Sequence, residues 1–251
     1  MESMLWLVVP LAFCCEFIDS SLGMGYGTSL TPILMLMGLA PVEIVPAVLL
    51  SEFVTGLTAA FFHHNQENVN FHPKSKDTKV MLVLSSFAVI GAVAGACLAV
   101  NLSKNVLSLC IGIIVLSMGI IILVTRNRRV RFRWKGIIAL GAVASFNKGM
   151  SGGGYGPLVM GGQMLSGVGV KNAIGITSLS ESVTCLAGLA CFFILGSAMN
   201  WPLALWLTLG AVLSAPLAAL AVKRINEKKI KLAVALVTIF LGCLTLYKVL
   251  V

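Results

Sequence analysis

Charge is scarce in this sequence. Only 11% of its 251 residues are Asp, Glu, Lys or Arg, against roughly 25% in a soluble domain. A large soluble core would interrupt its apolar runs with polar faces, and this chain does not. No Gly-x-x-x-x-Gly-Lys-Ser/Thr stretch occurs, so the phosphate-binding loop of an ATP-driven pump is missing. No basic residue precedes Lys74 and no small-residue cleavage site follows the first apolar run. That run is therefore expected to stay as a membrane segment rather than act as a secretory signal. The three histidines, His63, His64 and His72, fall in one stretch read as a polar cytoplasmic loop. Gly149-Met150-Ser151-Gly152-Gly153 matches G-x-S-x-G, yet a serine nucleophile needs a positioned base and none lies near it, so the chain is not read as an enzyme. Metal-ligand spacing is absent too, and no metal or cofactor is expected.

What remains is apolar. Hydrophobic residues make up 58% of the chain and the mean hydropathy is +0.99. Runs near the ~20 residues that cross a bilayer recur throughout. The seven cysteines, Cys14, Cys15, Cys97, Cys110, Cys185, Cys191 and Cys243, lie inside these runs and read as small filler. Cys185, one helical turn from Glu181, is the best candidate for a thiol near a bound substrate. The net charge of +9 sits in short loops and lacks the interleaved aromatics of a nucleic-acid surface, which excludes that partner.

The chain reads as a duplication. At a fixed offset of 129 positions, Gly23, Gly25, Tyr26 and Gly27 fall on Gly152, Gly154, Tyr155 and Gly156. Ser51, Glu52 and Thr55 fall on Ser180, Glu181 and Thr184, and Gly38 falls on Gly167. Repeat 1 covers residues 1–125, a basic linker 126–135, and repeat 2 136–251. Each repeat opens on a block too long for one crossing, broken by glycines into a re-entrant or paired short helix segment. Three transmembrane helices follow. In the first repeat these are expected from Val42 to Phe62, Val80 to Val100 and Asn105 to Thr125, and in the second from about Asn172, Pro202 and Leu232. The fold expected is an all-α polytopic membrane protein.

Basic loops orient it. Arg126, Arg128, Arg129, Arg131, Arg133 and Lys135 place the linker in the cytoplasm by the positive-inside rule. The loop with Lys74, Lys76 and Lys79, then Lys171, then the cluster Lys223, Arg224, Lys228, Lys229 and Lys231 fall on the same side only if each repeat crosses an odd number of times. The repeats are then inverted, and both termini lie outside with Lys104 and Lys248.

Glycine-broken helices at matching positions of inverted repeats point to a binding site near the midplane. A helix beginning after each break aims free N–H groups and partial positive charge at the centre, which suits an anion. Candidate substrate-binding residues are therefore Gly23, Gly25, Tyr26, Gly27, Lys148, Ser151, Gly152, Gly154, Tyr155 and Gly156, with the hydroxyls of Ser51, Thr55, Ser180 and Thr184. Charged residues within the apolar blocks, Glu16, Asp19, Glu52, Lys148 and Glu181, are costly in hydrocarbon and read as functional. Asp19, Glu52 and Glu181 are the candidates for coupling transport to protons. Asp19 and Lys148 occupy equivalent positions, so they either pair across the pseudo-two-fold axis or divide these tasks.

The pattern Phe17-Ile18-Asp19-Ser20-Ser21-Leu22-Gly23-Met24-Gly25-Tyr26-Gly27, its echo from Gly149 to Pro157 and the duplicated length resemble the TauE/SafE family of sulfite exporters. The resemblance spans essentially the whole chain. It implies an inner-membrane secondary transporter of sulfite, a sulfonate such as sulfoacetate, or a thiosulfate-like anion, working by alternating access. A channel-like anion pore and a non-transporting membrane scaffold are the alternatives. The partners implied are the anion and the lipid bilayer, with pairing into a homodimer left open.

Overall fold

The computed structural model describes residues 2–39, 41–99, 133–151, 155–194, 199–224 and 226–250, with scattered positions between 109 and 124. The described residues are helical or lie in short connections. The helices are α1 (Glu2–Leu22), α2 (Tyr26–Leu36), α3 (Pro41–Asn65), α4 (Lys76–Ala99), α5 (Trp134–Ser151), α6 (Tyr155–Leu165), α7 (Val170–Ile194), α8 (Trp201–Arg224) and α9 (Glu227–Leu250). Among the described residues, three stretches are long and apolar enough to cross a membrane, Glu43–Asn65, Val170–Ile194 and Trp201–Arg224. Most of the third run expected in the first half, Asn105 to Thr125, lies outside the described residues.

Helix lengths recur between the halves. Helices α2 and α6 both have 11 residues, α3 and α7 both 25, and α4 and α8 both 24. The two short helices also end alike. After α2 the Leu39 N–H donates to the Leu34 carbonyl (3.2 Å), and after α6 the Val168 N–H donates to that of Gln163 (2.9 Å). Between them Gly38 and Gly167 take φ of 91° and 82°. This is the Schellman stop, whose left-handed residue glycine adopts without steric penalty.

An 11-residue helix is about 16 Å long, near half of a ~30 Å hydrocarbon layer. Helix α2 is therefore about half as long as a full crossing. Packing pairs follow the same exchange: α1 lies along α8 as α5 lies along α4, and α3 meets α8 as α7 meets α4. Helices α3 and α7 cross each other, and a Cβ on Gly56 would stand 2.6 Å from the Ser178 carbonyl oxygen. Small residues thus set the close approach, as is usual where no water drives helices together.

The two ends of the bundle differ chemically. At one, Trp6 packs at a tilt against Trp206 (5.4 Å between centroids) and Phe193 approaches Trp201 (6.5 Å). At the other, Lys171 Nζ donates to the Lys223 carbonyl (3.0 Å), Arg133 N to that of Ser166 (2.9 Å), and Asn172 Nδ2 to Asp77 Oδ2 (2.7 Å). The histidines depart from the loop expected of them. Helix α3 continues to Asn65, carrying His63 and His64 in its last turn, and His63 is fully buried. The helix runs a turn past its apolar stretch because His63 finds partners inside the protein.

Candidate functional site

The first break is a short glycine turn. Gly23 and Gly25 take φ of 72° and 128°, values a side chain would resist. Helix α2 starts at Tyr26 with its first N–H groups lacking intrahelical partners. Two carboxylates fill them: Asp19 Oδ1 accepts from Tyr26 N (3.1 Å) and Glu52 Oε1 from Gly27 N (3.1 Å). The first turn of α6 packs on this break, since a Cβ on Gly156 would lie 2.7 Å from both the Gly23 carbonyl oxygen and Met24 Cα. Gly152 and Gly154 lie outside the described residues, as does the side chain of Ser151, the last residue of α5.

Lys148, in the last turn of α5, reaches Glu52 Oε2 at 2.6 Å and Glu181 Oε1 at 2.8 Å. Of the two alternatives for Asp19 and Lys148, the direct pair does not form, because Asp19 is turned to the start of α2. Glu52 is the hub. Beyond Gly27 and Lys148 it accepts the Cys185 thiol at 3.3 Å, so three other helices meet on one carboxylate. Its site follows from length: α2 counts 11 residues down to the break, and Glu52 stands about the same distance along the antiparallel α3. Lys148, Glu52 and Glu181 are all buried, and a buried charge persists only when paired.

A small pocket of about 10 Å³, near the space one water needs, adjoins the cluster, lined by Glu16, Asp19, Glu52, Thr55, Gly56, Ser178 and Glu181. Four carboxylates thus share it with one lysine beside them. Glu16 was expected as a functional charge and Cys185 as the best candidate thiol, whereas Gly56 and Ser178 were not among the residues expected in the site. Helical spacing is the signal that points to them, since each falls three or four positions from Ser20, Asp19, Glu52 or Glu181.

The hydroxyls are committed elsewhere in this conformation. Thr55 donates to the Ser51 carbonyl (2.9 Å), Thr184 to that of Ser180 (2.9 Å), and Ser180 to that of Thr177 (3.1 Å). Serine and threonine commonly close such bonds inside buried helices. Ser51 Oγ pairs with the Tyr26 hydroxyl at 2.7 Å. Its counterpart Tyr155 lies beside Ser180 and Thr184 without completing a bond of normal geometry. Only Thr55 of these lines the cavity.

Apolar helices, a helix break at mid-length and a buried ion cluster around it are the build of a membrane transporter. The chain belongs to the family described as "Sulfite exporter TauE/SafE", whose model matches residues 8–245. It is also 30% identical, over 226 residues, to the probable membrane transporter protein YtnM of Bacillus subtilis (strain 168). That match covers 85% of this chain and 73% of the relative.

Proposed function

We propose that the chain is a secondary transporter of a small sulfur-containing anion such as sulfite, a sulfonate or thiosulfate, and that Glu52 occupies the anion's position in the present conformation. The observation that carries this reading is the Glu52 carboxylate itself. It is an oxyanion held by a helix N-terminus, through Gly27 N, and by Lys148 Nζ. Those are the donors a sulfur oxyanion requires. Substrate takes Lys148 and the α2 N-terminus when Glu52 gives them up, and protonation of the cluster is what releases them. The surplus of carboxylates over the single lysine supports coupling to protons, because a buried cluster tolerates few uncompensated charges.

The equal helix lengths, matching stops and exchanged packing pairs support two homologous halves. With basic residues gathered at one end of the bundle and Trp6, Trp201 and Trp206 at the other, they favour the inverted arrangement, an inner-membrane location and external termini. Alternating access then exchanges the conformations of the halves around the paired breaks. Uptake into proteoliposomes tests the function directly, with sulfite, thiosulfate, sulfoacetate and sulfate supplied with and without a proton gradient. Accumulation of a reduced or organic sulfur anion driven by the gradient is expected. Conductance without accumulation, or no flux of any of the four, overturns it.

A further inference from the structure

The end of α1 is tied down by a buried polar chain that the transport reading does not use. His63 Nε2 lies 2.9 Å from the Ser20 carbonyl, and its Nδ1 3.1 Å from Asn68 Nδ2. Asn68 Nδ2 in turn donates to the Ala219 carbonyl of α8 (2.8 Å). The two carbonyls fix every role in this chain, because a carbonyl only accepts. Asn68 must present its amide nitrogen, so His63 accepts at Nδ1 and donates at Nε2 to Ser20, as a neutral ring. Ser20 also gives its own hydroxyl to Glu16 Oε1 at 2.6 Å.

The turn that delivers Asn68 is built for it. Asn68 N bonds back to the His63 carbonyl (2.9 Å), and Glu67 takes the left-handed conformation with φ of 60°, which costs a non-glycine residue energy. Asn68 itself is 2% exposed. A strained turn that buries an asparagine between three helices is kept only if the contact is needed.

We propose that His63 and Asn68 are positioning residues, a latch that clamps the last turn of α1, with Glu16 and Asp19 on it, against α3 and α8. The latch is one-sided. The position 129 residues after His63 is Phe192, which offers no donor or acceptor. If the halves exchange conformations during transport, only one of the two states gains this clamp, so His63 and Asn68 hold the molecule in the state described here. The role in the cycle rests on the transport reading; the clamp itself does not.

Backbone hydrogen exchange of the purified full chain, with no substrate added, separates the two. His63→Phe, which copies the second half, and the milder Asn68→Ser are each expected to speed exchange in residues 16–22 by roughly ten-fold, the value of one or two buried hydrogen bonds. Residues 145–151, the equivalent stretch of α5, stay at the parent rate. His63→Gln keeps an amide donor for Ser20 and restores protection. Exchange that rises equally at both stretches, or only within residues 63–70, overturns the latch. Loss of sulfite uptake bears only on the transport reading.

Discussion

Glu52 and Lys148 come from opposite halves of the chain and meet at 2.6 Å in the centre of the protein. Their pairing joins α3 to α5, the helix before the second break. Any motion that separates the halves must therefore break it or carry it along, and in the proposed function this contact is where an incoming anion competes.

Replacing the lysine tests that competition. Lys148→Met is expected to abolish sulfite uptake and to destabilise the protein by about 3–5 kcal/mol, since it leaves buried carboxylates without their cation. The triple variant with Glu52→Gln and Glu181→Gln removes the stranded charge. It should recover thermal stability in detergent without recovering uptake. A Lys148→Met protein that transports normally rules out a direct contact with substrate.

The two glutamates are not equivalent in their surroundings. Glu52 has three donors, whereas Glu181 is bonded to Lys148 beside the cavity. Glu181→Gln is expected to keep sulfite binding while uptake loses its response to a pH gradient. Glu52→Gln should weaken binding as well, by disturbing the start of α2. Isothermal titration and flux measured on the same preparations distinguish these outcomes, and an unaltered gradient response in both variants eliminates the coupling role.

Contact between the start of α6 and the first break predicts intolerance of a single methyl group. Gly156→Ala sets a Cβ 2.7 Å from backbone atoms of Gly23 and Met24, and should cost about 1–3 kcal/mol, the range of overpacking. Gly38→Ala has open space around it and is strained only by its φ of 91°. Thermal unfolding of the two variants should thus separate a steric effect from a conformational one. Equal, negligible losses would mean that α6 does not touch the first break.

Orientation is accessible to labelling. A cysteine at position 129 in a cysteine-free background should react with an impermeant thiol reagent only after the membrane is opened. Labelling of intact cells from outside would refute the inverted arrangement.

Much of this was legible in the sequence because the informative residues are rare. Glycines and charges stand out in an apolar chain, so the breaks, the repeat offset and the cluster members could be found without coordinates. Who pairs with whom could not. Equivalence of Asp19 and Lys148 suggested each other as partners, but Asp19 is drawn to the free N–H of Tyr26 two turns along its own chain. Lys148 is left to glutamates far away in sequence. The hydroxyls of Thr55 and Thr184 looked available because composition does not reveal donation to the preceding turn. His63 looked solvated because its partners, Ser20 and Asn68, come into reach only once α1 and the strained turn are in position.

The paired half-length arms also fix what the chain can tolerate in length. Each residue in a helix advances it by about 1.5 Å and turns it by about 100°. One residue inserted between Gly27 and the turn at Gly38, or between that turn and Glu52, would swing the carboxylate away from both the helix start and Lys148. Substitutions along these arms leave that register alone. Natural variation here should be free in side-chain identity and rigid in count, with insertions confined to the stretches that join the helices at the ends of the bundle.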